Sequence, residues 1–159
     1  MSIPQPNINL ECSGGSQAAQ TASILLAFEK ELKANPADLV LVVGDVTSTM
    51  ACALVAKKLN TKVAHVEGGI RSGDMTMPEE INRIVTDSIA DYFFTTSELA
   101  NQNLKAEGIK EHQLFLVGNT MIDTLLKNKS RFLKPKIWDD LNLKSTPVLL
   151  AASISSTSI

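Results

Sequence analysis

Four short apolar runs rich in β-branched residues punctuate the chain: DLVLVVGD (38–45), TKVAHVE (61–67), YFFTTS (92–97) and LFLVGNT (114–120). A fifth, PVLLAAS, lies at 147–153. Continuous apolar runs of this length predict strands buried on both faces of a parallel sheet. The segments between them carry helical periodicity. SQAAQTASILLAFEKELKAN (16–35) sets Ala19, Ile24, Phe28 and Leu32 near one stripe, with acids and bases opposite. TSTMACALVAKKLN (47–60) is apolar nearly all round, as befits a helix pressed on a sheet. PEEINRIVTDSIADY (78–92) opens on a proline with two acids in its first turn, which suits the helix dipole. SELANQNLKAEG (97–108) starts on a capping serine and stops at a glycine.

Strands alternating with helices predict a doubly wound α/β domain with a mostly parallel sheet. The polar, proline-marked stretch 127–147 reads as a connector before the last strand. The chain opens with a proline-spaced coil and closes on AASISSTSI in mid-pattern, so the sheet reads as incomplete at both ends. Residues 1–146 are accordingly expected to form a partial domain. Residues 147–159 are expected to be the start of a truncated second domain or an aberrant tail.

Composition narrows the function classes. The 159 residues carry 15 Lys+Arg against 17 Asp+Glu, a formal net charge of −2, with no basic block. A nucleic-acid partner is therefore not expected. The longest apolar runs fall far short of the roughly 20 residues of a membrane helix, and the first residues lack the pattern of a secretory signal. Cys12 and Cys52 have no metal-ligand spacing and read as free thiols in a cytoplasmic protein. No Walker loop, dinucleotide fingerprint or metal-ligand cluster appears. CSGGS follows a coil, and the GNT at 118–120 offers a single glycine.

The candidate chemistry sits at strand ends. Ligands of open α/β sheets bind at the carboxyl ends of the strands. Two runs end in an acid there, at Asp45 and Glu67. The loop GGIRSGDMTM then returns the amino end of the next helix, with Glu79 and Glu80, to the same edge. Carboxylates brought this close separate their pKa values, so one can hold a proton while another is ionised, as acid–base catalysis requires. Each residue also has a plain structural reading. Asp45 can cap the following helix, and Glu79 and Glu80 can be first-turn acids. Glu67 can pair with Arg71 or Arg83, and His65 can be a satisfied core residue. The acids favour a site as a group rather than singly.

The motifs HVEGGIR (65–71) and PEEINR (78–83), set within the stretch from LVLVVGD to LFLVGNTMIDTLL, resemble those of the non-hydrolysing UDP-N-acetylglucosamine 2-epimerases. The resemblance runs from about Ile3 to about Leu143. It implies one Rossmann-like half of a glycosyltransferase-B-type fold, with the active site between two such halves. It also implies inversion at C2 of UDP-N-acetylglucosamine to give UDP-N-acetylmannosamine, by elimination and re-addition of UDP, without cofactor or metal. Carried over by motif, Asp45, Glu67 and Glu79 are the catalytic carboxylates. Asp45, Glu67, Arg71 and Arg83 are substrate-binding, with Arg83 placed to orient Glu79 or meet phosphate. A homodimer is implied as well. Three features depart from the family pattern. No Gly-Thr-Arg-Pro-Glu segment is present, Gln17 stands where the family typically has histidine, and the chain ends before a histidine–arginine motif and the nucleotide-binding half. These departures imply a fragment with part of an active site, inactive by itself. The alternative is a non-catalytic family member that binds a nucleotide sugar or dimerises.

Overall fold

The computed structural model describes residues 4–133 and 136–140. Helix α1 (Gln17–Ala34) leads into β1 (Leu39–Val43), α2 (Thr47–Lys58), β2 (Lys62–Val66), α3 (Pro78–Ile89), β3 (Tyr92–Thr95), α4 (Glu98–Ala106) and β4 (Leu114–Leu116). Helices α5 (Thr120–Asn128) and α6 (Ile137–Asp140) follow. The strands form one parallel sheet in the order β1-β2-β3-β4. The expected α/β class is therefore present, with four of the expected strands and four of the expected helices in place. The chain divides into two compact units, Met1–Met121 and Ile122–Ile159. The first holds the sheet and α1–α4. The described part of the second holds most of α5, and within the stretch expected as a connector it has the end of α5, a tight helical turn at Lys129–Arg131, and α6. The fifth expected strand and the boundary at residue 146 lie outside the described residues.

Local signals explain the element ends. Ser16 Oγ accepts the Ala19 N–H and Ser97 Oγ the Ala100 N–H, each at 3.2 Å, so α1 and α4 begin on capping serines. Pro78 opens α3, where its missing N–H costs no helical bond.

Register decides the core. Val42, His65, Phe93 and Leu114 line up across the sheet. Val42, Val63 and Phe93 pack with Leu32 of α1, Ala53, Val55 and Ala56 of α2, and Leu104 of α4. The opposite face is different. Leu39, Leu41 and Val43 of β1 are 44%, 56% and 53% exposed, although the run they belong to predicts cover on both sides. The reason is topological. Parallel strands laid down in sequence order, each joined to the next by a right-handed crossover, send their helices to one face.

Helix α3 reverses the usual pattern, burying Glu80, Asn82, Thr86 and Asp87 while Ile81 is exposed. Its buried stripe faces loops with polar groups to satisfy, and the next section follows those bonds. Among the described residues no helix is long and apolar enough to cross a membrane.

Cys12 and Cys52 are both free. Burial, and secondarily the nearby Cys12, push the Cys52 thiol from 9.0 up to about 11. The thiolate is the reactive form, so at pH 8 Cys52 is expected to alkylate about a hundredfold more slowly than an unperturbed thiol. Mass-resolved iodoacetamide labelling measures this, and labelling of Cys52 at the rate of an unperturbed thiol would contradict it.

Candidate active site

Strands β1 and β2 end side by side. Val43 pairs with Val66, and the Gly44 N–H donates to Val66 O at 3.0 Å, so the next side chains leave from one sheet edge. These belong to Asp45 and Glu67. The Glu67 backbone lies in the left-handed region (φ 69°), pinned by its N–H to Phe94 O at 2.9 Å. That conformation costs a non-glycine residue on the order of 1 kcal/mol. Among the described residues no hydrogen bond reaches the Glu67 carboxylate. Its Oε2 would lie 3.8 Å from a Cβ on Gly44, directly beside the Asp45 turn. A strained backbone presenting an unpartnered acid is the kind of feature that marks functional sites.

Asp45 is held from α3. Arg83 places Nε and Nη2 on Asp45 Oδ2 at 3.0 and 2.7 Å, and Asn82 Nδ2 donates to Asp45 O at 2.8 Å. Burial by itself pulls the Arg83 guanidinium down, but Asp45 and Glu80 outweigh it and hold the group above its ordinary value. Asp45 does not cap α2; the residue at the cap is Val46, which makes no side-chain cap bond.

Glu79 is exposed in the first turn of α3 and lines a polar hollow of about 310 Å³ with Gln17, Gln20, Thr47, Ser48 and Asn82. That volume lies at the lower end of small-molecule sites. Asn82 belongs to both features, because it lines the hollow and holds the Asp45 carbonyl. The Thr47 hydroxyl donates to Gln17 Oε1 at 3.3 Å, fixing that amide beside the same hollow.

The neighbouring acid, Glu80, differs sharply. It is 1% exposed and accepts the Ser72 N–H at 3.0 and 3.1 Å, the Gly73 N–H at 2.9 Å, and Arg83 Nη1. Burial raises its pKa, yet these donors overcome that effect and bring it from 4.5 down to about 2. Glu80 therefore ties down the loop before α3.

The structure thus brings Asp45 and Glu67 to one rim and sets Glu79 in the adjoining hollow. It does not join Arg83 to Glu79; the guanidinium is shared between Asp45 and Glu80 instead. Nor does Glu67 pair with Arg71 or Arg83. Arg71 forks onto Glu107 at 2.8 and 2.6 Å, and its Nη1 donates to Asp87 Oδ2 and Ile70 O at 2.7 and 2.8 Å. The chain itself therefore occupies Arg71. His65 is buried with both ring nitrogens partnered, as a core histidine should be. Asp87 was not singled out from the sequence. The Glu80–Arg83–Asp87 stripe, at helical spacings of three and four, is the signal that could have revealed it. Among the described residues no group of His, Cys, Asp and Glu is placed to hold a metal ion.

The family model described as UDP-N-acetylglucosamine 2-epimerase matches residues 1–153. The chain belongs to the UDP-N-acetylglucosamine 2-epimerase family. It is 47% identical to the UDP-N-acetylglucosamine 2-epimerase of Methanocaldococcus jannaschii over 128 residues, covering 80% of this chain and 35% of that one. A homologue from Methanococcus maripaludis is 47% identical over 156 residues, covering 95% and 43%. The UDP-2,3-diacetamido-2,3-dideoxy-D-glucuronate 2-epimerase of Pseudomonas aeruginosa is 40% identical, covering 85% and 39%. Among solved structures, the M. jannaschii epimerase in complex with UDP-GlcNAc and UDP aligns with a TM-score of 0.80 at 44% identity, covering 87% of this chain and 38% of that one. The chain spans well under half the length of these epimerase-family relatives.

Proposed function

We propose that this chain forms the acidic wall of an active site that inverts C2 of a UDP-2-acetamido sugar, interconverting UDP-N-acetylglucosamine and UDP-N-acetylmannosamine. The observation that carries the reading is the Glu67 carboxylate, without a hydrogen-bond partner among the described residues and held on a left-handed backbone beside the Arg83-clamped Asp45. The C2 proton has no adjacent carbonyl to acidify it, so its removal needs a positioned base and a departing UDP. In the forward half-reaction a carboxylate takes that proton. The C2–H electron pair becomes a C1–C2 double bond, and UDP leaves C1 with the C1–O pair. Re-addition of UDP at C1 and of a proton to the other face of C2 completes the inversion. The sequence is redox-neutral and calls on no cofactor.

Glu67 and Asp45 contact the sugar and work on one side. Ion-paired Asp45 is the acceptor for sugar hydroxyls, and Glu79 in the hollow supplies the second acid–base group. Arg83 sets Asp45, and Arg71 holds the loop between them through Asp87 and Glu107. The diphosphate and uridine need groups that these carboxylates do not supply. The 159-residue chain alone is therefore expected to bind the sugar nucleotide weakly without turning it over, because catalysis needs charge stabilisation and water exclusion on both sides of the substrate. Conversion of UDP-N-acetylglucosamine by the purified chain would contradict that.

Ligand-observed NMR titration with UDP-N-acetylglucosamine tests the site. A dissociation constant on the order of 1 mM is expected, weakened about tenfold by Glu67→Gln, since a charge-assisted hydrogen bond is lost. Absence of binding, or equal binding by the variant, overturns the reading. A parallel titration with the 2,3-diacetamido glucuronate nucleotide decides which sugar the wall prefers. A cytoplasmic homodimer fits the free thiols and the apolar cleft between α1 and α2 lined by Leu25, Leu26, Leu54 and Leu59. Light scattering at high protein concentration tests the pairing, and a strict monomer rules it out.

A further inference from the structure

We propose that His65 and Asp87 form a buried positioning pair that holds the Asp45 and Glu67 turns in register, an inference that rests on the proposed function for its catalytic meaning. Both residues are 0% exposed. His65 sits on β2 between Val42 of β1 and Phe93 of β3, a place an aliphatic side chain could fill without polar groups to satisfy. Its ring is instead fastened at both ends. Nδ1 meets Asp87 Oδ1 at 2.6 Å, and Nε2 lies 2.8 Å from Gly44 O. A carbonyl oxygen only accepts, so Nε2 carries a hydrogen and donates it. Gly44 is the residue before Asp45, and its carbonyl is thus held by a side chain.

Asp87 completes the connection on the other side. Its Oδ2 accepts the Gly69 N–H at 3.0 Å and Arg71 Nη1 at 2.7 Å, both in the loop that follows Glu67. A Cβ on Gly68 would lie 3.1 Å from Phe93, 3.2 Å from Asp87 Oδ1 and 3.4 Å from His65 Nδ1, so the backbone closes directly over the pair. One path runs from the Gly44 carbonyl through the imidazole and the carboxylate to the Gly69 amide. It joins the turn after β1 to the turn after β2. Neither residue lines the hollow, so the pair acts through Asp45 and Glu67. A buried polar pair adds little net stability over well-packed apolar residues, and placement of the two acids is what this pair adds.

Two substitutions separate positioning from packing. In His65→Gln the amide nitrogen falls near Nε2 and keeps the donor to Gly44 O. In His65→Asn it falls near Nδ1, keeping the Asp87 contact and releasing Gly44. The Asn variant is expected to shift the Gly44 and Asp45 amide resonances and weaken UDP-N-acetylglucosamine binding about tenfold. The Gln variant, which keeps the Gly44 link and gives up Asp87, is expected to shift the Gly69 amide resonance instead and to weaken binding less, by about threefold. Equal shifts and equal affinities in the two variants overturn the proposal. If the parent chain binds no nucleotide sugar, the proposed function fails, while the amide shifts still decide the positioning claim. Should the Asn variant not fold, the ¹⁵N spectrum of the parent imidazole decides instead. A proton on Nε2 at neutral pH is expected, and a bare Nε2 overturns the link to Gly44.

Discussion

Gly69→Ala is expected to destabilise the chain by roughly 3 kcal/mol, from left-handed strain of about 1 kcal/mol plus overpacking of about 2 kcal/mol. Gly69 has φ 82°, and a Cβ there would lie 2.5 Å from the Ala100 carbonyl oxygen and 2.9 Å from both Cγ and Cδ1 of Leu104. The oxygen belongs to the backbone of α4 and Leu104 is 0% exposed, so neither has room to retreat. The loop cannot move away either. Its N–H is bonded to Asp87 and its carbonyl accepts Asn103 Nδ2 at 2.9 Å. Gly73→Ala is the internal control. Its φ is 75°, nearly the same, but no described residue beyond its chain neighbours lies within 4 Å of the added carbon, so only the strain of about 1 kcal/mol is expected. Urea melts of both variants should differ by about 2 kcal/mol with unchanged m-values. Equal losses would mean that the contact with α4 is not rigid.

The contrast between those two glycines marks what a sequence can convey. Punctuation by glycine after KVAHVE was plain, and so was the turn it implied. That Gly69 faces a helix backbone while Gly73 faces space depends on how α4 packs, which no local pattern encodes. The strands were legible for a related reason. LVLVV and KVAHV are unbroken β-branched runs, and proline, serine and glycine set the helix limits independently. Cover of the sheet was misread because a run such as LVLVV looks alike whether one or both of its faces are packed. The one-way strand order, a long-range property, leaves Leu39, Leu41 and Val43 bare.

The acids show the same division between local and distant information. Their gathering at the ends of β1 and β2 followed from parallel pairing, which the run lengths imply. Arg83 was expected either to orient Glu79, four residues before it on the same helix, or to meet phosphate. It reaches across to Asp45 instead, and the buried Glu80 takes the remaining nitrogen. Asp87 stayed hidden for a complementary reason. An acid in TDSIADY looks like part of a solvated helix face until the register of β2 puts His65 beneath it.

Glu80 carries the second large effect. Glu80→Ala would strand the Ser72 and Gly73 amides and leave one side of the partly buried Arg83 guanidinium bare, at a cost of about 2–3 kcal/mol. Glu80→Gln keeps the shape and one acceptor oxygen, so about 1–2 kcal/mol is expected. The pH dependence separates charge from shape. The Glu80 carboxyl is ordinarily at 4.5 and lies near 2 in the fold, so the unfolded chain takes up its proton first as the solution is acidified. Its stabilisation is thus complete above pH 4.5 and fades as the pH falls toward 2. The stability gap between the parent chain and Glu80→Gln should therefore be constant from pH 7 to pH 5, then narrow steadily at pH 4 and pH 3. Denaturant melts across that range measure it directly. A gap that persists unchanged to pH 2.5 would show that packing holds the loop before α3, and Arg83 would then be free to neutralise Asp45 without sharing its charge with Glu80.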